Sequence, residues 1–168
     1  MVADSDEGGT ACPVGCSSVS KDRGFSTRLM WRENGAIVTY AYYPDKDESI
    51  RCGEDWKWDK KLKAGEWHHI RMFAQLNTFE GGDPQEDGVF RAWLDGELVL
   101  ERTDIRYRYN EDFLISRAYL TTYCGGSSRD LFGPKHDQYI ECVAMPAASK
   151  SERLLRWCTY VVRACVQV

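Results

Sequence analysis

FSTRLMWRENGAIVTYAYY, residues 25–43, decides the fold. Two runs in which apolar and polar residues alternate flank Glu33-Asn34-Gly35, the pattern of a β-hairpin. Residues two apart on a strand share a face. Ser26 and Arg28 therefore form a polar line on the first strand, and Tyr40 and Tyr42 form one on the second. The turn decides whether the lines meet. A two-residue Asn-Gly loop sets Leu29 opposite Tyr40 and sends Arg28 and the tyrosines to opposite faces. A three-residue loop with Gly35 in the left-handed conformation sets Arg28 opposite Tyr40 and Ser26 opposite Tyr42. That second register gathers a guanidinium, two phenols and a hydroxyl on one surface.

Downstream the period of two persists. Strands are expected at 25–32 and 36–43, with a charged loop through Lys46, Asp47 and Glu48 and an irregular stretch over 49–66. WHHIRMFAQLNT (67–78) alternates Ile70, Met72, Ala74 and Leu76 against His69, Arg71, Gln75 and Asn77, with Phe73 interrupting the polar side. FEGGDPQEDG (79–88) has loop composition. VFRAWL-DG-ELVLER (89–102) is a hairpin with Asp95-Gly96 at its tip. Further strands are expected at 104–109, 115–123 and 137–142. Gly125-Gly126-Ser127-Ser128 is a flexible loop, and no Gly-Lys-Ser/Thr follows to make it a phosphate loop. Short strands at regular spacing predict an all-β chain, a jelly-roll β-sandwich of antiparallel sheets. Residues 1–23 read as coil or an incomplete edge element, 24–142 as the jelly roll, and 143–168 as a divergent tail. In that tail Leu154, Cys158, Val161 and Cys165 have helical spacing, yet TYVVRACVQV also suits a strand. Its arginines at 153, 156 and 163 are read as a solvated face, in a surface helix or loose extension.

The 168 residues suit one domain with a real core. A formal charge of −4 excludes no partner, because a basic cleft can sit on an acidic body. Six Trp, nine Tyr and six Phe suit a β-rich protein or a carbohydrate surface. No apolar run approaches the roughly 20 residues that cross a bilayer, and MVADSDEGGT is too acidic for a signal peptide. Seven cysteines fit an extracellular protein with some disulfides and one thiol left over. Cys12 and Cys16 lack a second pair at zinc-ligand spacing. His68 and His69 are adjacent, point oppositely on a strand, and cannot chelate one ion. No metal site is expected.

FSTRLMWRENGAIVTYAYYPD, GEWHHIRMFAQLNT, DGVFRAWLDGELVLERTDIRYR and AYLTTYCGGSSRDLFGPKHDQYI together resemble a family 14 polysaccharide lyase, in ordered blocks over roughly residues 8–140. The resemblance implies a jelly roll with a substrate cleft on one concave sheet and no metal or organic cofactor. It also implies an acidic polysaccharide as partner, alginate or a glucuronan-like polymer, with no nucleic acid and no membrane. A secreted monomer is expected. The family's Ser-x-Arg and Tyr-x-Tyr pairs fall on Ser26 and Arg28, and on Tyr40 and Tyr42. The family also carries a lysine on an upstream strand before a Gly-Gly step like Gly8-Gly9; the matching stretch falls at or before the first residues, VADSDE, which contain none, and Lys21 is too close to Ser26. After Ile140 the chain departs from the family's aromatic and acidic closing strand.

The chemistry implied is β-elimination, which removes the proton on C5 of a uronate and expels the sugar oxygen on C4. Arg28 is expected to neutralise the carboxylate as enolate character develops. Tyr40 is expected as the base, its phenolate favoured by the guanidinium opposite. Tyr42 is expected to protonate the leaving oxygen or support Tyr40, and the two roles are exchangeable. Ser26 would orient the carboxylate or a phenol. His69, Arg71, Gln75 and Asn77 are expected to line the neighbouring strand and hold further uronates. His68 is read as core or edge, and Arg91 and Trp93 as structural.

Overall fold

A computed structural model describes residues 24–117 and the strand segments 2–3, 140–142 and 155–164, with side chains over 24–115. In chain order the strands are β1 (Val2–Ala3), β2 (Ser26–Trp31), β3 (Ala36–Tyr42), β4 (Glu54–Lys61), β5 (Trp67–Gln75) and β6 (Phe79–Glu80). They continue with β7 (Asp83–Pro84), β8 (Gly88–Leu94), β9 (Glu97–Ile105), β10 (Ile115–Arg117), β11 (Ile140–Cys142) and β12 (Leu155–Ala164). The first sheet runs β10-β1-β2-β3-β4 and the second β11-β12-β5-β8-β9, with β6 and β7 forming a small hairpin of their own. Every pairing is antiparallel. Among the described residues the one helical piece is a 3-10 turn at Glu33–Gly35. The expected strands at 115–123 and 137–142 are described only at 115–117 and 140–142, and the Gly125–Ser128 loop lies outside the described residues.

The two sheets bury their inner faces against each other. Phe25, Ile37, Ala41, Tyr43, Trp56 and Trp58 from the first meet Ile70, Met72, Ala74, Phe90, Ala92 and Leu94 from the second. Trp56 and Phe90 touch across the gap with ring centroids 5.6 Å apart. Within this layer Trp58 Nε1 donates to Thr39 Oγ1 over 3.0 Å. The expected hairpin at 89–102 is present, with Leu94 opposite Glu97 and Asp95 (φ 53°) and Gly96 (φ 88°) both left-handed at its tip. Asp95 also serves the neighbouring strand, its Oδ2 lying 2.8 Å from His68 Nδ1 and its Oδ1 accepting from His69 N.

Four expectations change. Residues 49–66 were expected to be irregular, yet 54–61 form β4. Its inward side carries only Trp56 and Trp58 among charged neighbours, so the alternation is hidden by composition rather than absent. The incomplete edge element at the start places Val2–Ala3 inside the first sheet, between β10 and β2. The tail's ambiguous segment is a strand, pairing with β5 from Leu155 opposite Gln75 to Arg163 opposite Trp67. The expected strand at 104–109 is absent, because β9 runs on to Ile105 and the chain then leaves the ladder.

Asn77 explains that last change. Fully buried, it accepts from the backbone N–H groups of Tyr107 and Arg108 over 3.0 and 3.1 Å and donates to the Arg108 carbonyl over 3.1 Å. One side chain thus supplies what a partner strand would have given. Asn77→Leu, similar in size, strands these buried backbone groups, each worth about 1–3 kcal/mol. Urea unfolding is expected to show a loss of about 3 kcal/mol or more. An unchanged midpoint would remove Asn77 from this role.

Candidate functional site

The three-residue turn is the one that forms. Arg32 N donates to Ala36 O over 2.7 Å, closing the loop around Glu33-Asn34-Gly35, and both Asn34 (φ 56°) and Gly35 (φ 71°) are left-handed. Gly35 is fitted to more than φ. Its carbonyl accepts from Leu62 N over 2.8 Å, and a Cβ there would stand 2.2 Å from the Leu62 carbonyl oxygen. The resulting register sets Ser26 opposite Tyr42 and Arg28 opposite Tyr40. Phe25, Thr27, Ile37, Thr39 and Ala41 turn into the sandwich, so the four polar residues share the outer face of the first sheet.

On that face Arg28 Nη2 donates to Ser26 Oγ over 3.2 Å, and the Arg28 guanidinium sits 5.4 Å from the centre of the Tyr42 ring. The Tyr40 and Tyr42 rings meet edge to face, 5.3 Å between centroids and 85° between planes, with their hydroxyls 3.5 Å apart. Ser26 is 0% and Tyr42 1% exposed, whereas Tyr40 and Arg28 are half-buried. Tyr40 and Arg28 are thus the members of the cluster a large ligand reaches.

Three further residues complete the surroundings of Tyr40. Arg32 lies 5.6 Å from its ring centre and is held by Asp55 through bonds of 2.6 and 3.2 Å. Gly53 N donates to the Tyr40 hydroxyl oxygen over 2.9 Å. None of the three was legible beforehand. Asp55 sits on β4 and Gly53 just ahead of it, a strand that composition concealed, and Arg32 follows a strand whose register was open.

The Tyr40 pKa is pushed up to about 12, first by burial, then by its hydrogen bond to Tyr42, with the Gly53 N–H pulling the other way. This corrects the expectation that the guanidinium opposite favours its phenolate. Arg28 leans over the Tyr42 ring instead, and burial is the largest influence on the Tyr40 phenol. Tyr43 is raised further, by burial and by donating to Glu54 over 2.7 Å, and the fully buried Tyr107 is far above its ordinary value. An unfolded phenol ionises near about pH 10. The stability these tyrosines contribute is therefore complete below about pH 10 and, for Tyr40, is lost as pH rises through about 12. The Tm is expected to hold through mild alkali and fall steeply above about pH 10. A constant Tm to about pH 12, with phenolate absorbance rising as for free tyrosine, would contradict it.

The other expected residues are not brought to this face. β5 belongs to the second sheet, not to the strand beside β3. Ile70, Met72 and Ala74 point into the core, so His69, Arg71 and Gln75 lie on the far outer surface of the sandwich. There Arg71 stacks on Trp93 at 4.1 Å and Arg91 pairs with Glu101 at 2.5 Å, structural contacts as expected for the β8 residues. Asn77 is buried in the backbone role described above. His68 is also buried, accepting from Lys63 N over 3.0 Å. Among the described residues no group of three or more His, Cys, Asp or Glu gathers to hold a metal. Cys12 and Cys16 lie outside them, and Cys52 is disulfide-bonded.

A family model described as polysaccharide lyase 14 matches residues 3–142. Among solved structures, the chain is similar to the alginate lyase vAL-1 from Chlorella virus, with 25% identity and a TM-score of 0.60. That likeness covers 97% of this chain but only 60% of the viral enzyme. No curated protein matches.

Proposed function

The chain belongs to polysaccharide lyase family 14, and on that footing we propose that it cleaves alginate or a related polyuronate by β-elimination. The cleft of its jelly roll would be the outer face of the first sheet. The observation that carries this reading is the register that puts the Arg28 guanidinium beside Tyr40 and Tyr42. A polyuronate presents a carboxylate on every sugar, and a planar guanidinium grips one with two hydrogen bonds. Arg28 thereby offsets the charge that moves onto the carboxylate when C5 loses its proton.

Burial divides the tyrosine roles. Tyr42 is too enclosed to touch a polymer and supports Tyr40, while Tyr40 meets the substrate. The Tyr40 phenolate takes the C5 proton, the electrons left on C5 expel the C4 oxygen, and the new phenol returns that proton to the leaving oxygen. Base and acid are then one residue on one side of the sugar, and Tyr40 ends as it began. Ser26 holds Arg28 in place through its hydroxyl. The Cys52 disulfide suits secretion, where a polymer substrate is met.

Incubation with alginate, polyguluronate, polymannuronate and glucuronan, followed by the ultraviolet absorbance of unsaturated ends, tests the reading. A rise with at least one polymer is expected. Polymer retention without any rise would make the chain a carbohydrate-binding module. Neither retention nor a rise would overturn both sugar functions.

A further inference from the structure

Gly53 meets the Tyr40–Tyr42 pair from a side the strand pattern does not reveal. It is buried just ahead of β4, and its N–H lies 2.9 Å from the Tyr40 oxygen. A Cβ at this position would stand 2.8 Å from Tyr40 Cζ, 2.8 Å from Tyr42 Cε2 and 2.9 Å from Tyr40 Cε1. Real Cβ contacts are essentially never that close, so the bare backbone is what lets both rings close around the donor. The flanking residues hold it there. Cys52 is tied by its disulfide, and Glu54 begins β4 in register with Ala41 while accepting from Tyr43.

We propose that Gly53 is a positioning residue for the reaction, its N–H aimed at the Tyr40 oxygen to hold the phenol in place and to stabilise the phenolate that takes the C5 proton. This rests on the lyase reading above and adds its missing part. Burial opposes the ionised form of Tyr40, and a base must ionise to work. A backbone N–H donating to an anion is a charge-assisted bond, stronger than the same bond to a neutral phenol. It therefore favours the reactive form over the resting one. The donor cannot rotate away, because its aim is set by the backbone between a disulfide and a strand. The Gly53 bond already acts in this direction on Tyr40, against the larger effect of burial.

The cleanest test removes the N–H and adds no atom, by exchanging Gly53 for its α-hydroxy analogue, glycolic acid, so that an ester replaces the amide. Two readouts follow. In the first, the Tyr40 phenolate is titrated by ultraviolet absorbance as the difference between each protein and its Tyr40→Phe counterpart. The ester is expected to move that ionisation to higher pH. In the second, kcat on the cleaved polymer should fall about tenfold to a hundredfold at neutral pH and recover as pH rises, with KM little changed. Gly53→Ala should lower kcat more, because its Cβ also displaces the rings.

An ester protein with an unmoved Tyr40 titration overturns the proposal, as does a loss of kcat of the same size at every pH. If no polymer is cleaved by the unmodified protein, the lyase reading fails separately, and the titration still decides whether Gly53 controls Tyr40. Should the ester protein not fold, Cys52→Ser provides the second variant. It leaves the N–H in place and loosens its anchor, so an alkaline shift of the Tyr40 titration is expected, and none would overturn the role given to the disulfide.

Discussion

Tyr40→Phe is expected to lower the release of unsaturated ends by about a thousandfold or more, within the range general acid–base groups supply, and to leave polymer retention nearly intact. The ring and its edge-to-face contact with Tyr42 survive the change, so only the hydroxyl is tested. The same residue predicts the pH dependence. With a pKa of about 12, the phenolate fraction grows about tenfold for each pH unit below that value. The value of kcat/KM should therefore climb with pH through the neutral and mildly alkaline range, until the alkaline loss of stability overtakes it. A flat profile would take the base role from Tyr40. Near-normal turnover in the Phe variant would take both roles.

Arg28→Ala should cost about a hundredfold to a thousandfold in kcat/KM, the size seen when a preorganised charge-stabilising group is removed. Unlike Tyr40→Phe, it should also weaken retention on the polymer, because the carboxylate it grips is present in bound substrate and transition state alike. Arg28→Lys keeps the charge and loses the two-pronged grip, so it should fall between the two. Both are measured by initial rates and retention on immobilised polymer, with Tm recorded because Arg28 also contacts Ser26 and the Tyr42 ring. An unchanged rate in Arg28→Ala would place the neutralising charge elsewhere.

Much of the site was legible because it rests on a local rule. Alternation puts Ser26 with Arg28 and Tyr40 with Tyr42, and the family resemblance selects the register in which the pairs meet. Leu62 shows the physical side of that selection. The end of β4 packs so closely on Gly35 that no side chain fits there, and the turn is shaped by a strand that composition hid. β5 shows where a local rule stops. Its alternation correctly separated Ile70, Met72 and Ala74 from His69, Arg71 and Gln75, yet it says nothing about which sheet the strand joins. Asn77 continued the polar side of the pattern by count, but it lies beyond the end of β5 and turns inward to hold the backbone at 107–108.

By itself the sequence determined the β class, the hairpins at 25–43 and 89–102, and the polar residues that share a strand face, because each follows from neighbours a few positions apart. The division of strands between two sheets was decided by contacts distant in the chain. So were the Gly53 donor behind Tyr40 and the burial that holds the Tyr40 proton. The pairing of strands within a sheet and the desolvation of a phenol depend on what lies against a residue, and 25–43 carries no record of 53, 55 or 62. The four residues on which the hairpin opened were visible from the start; their division into two that are buried and two that are half-exposed was not.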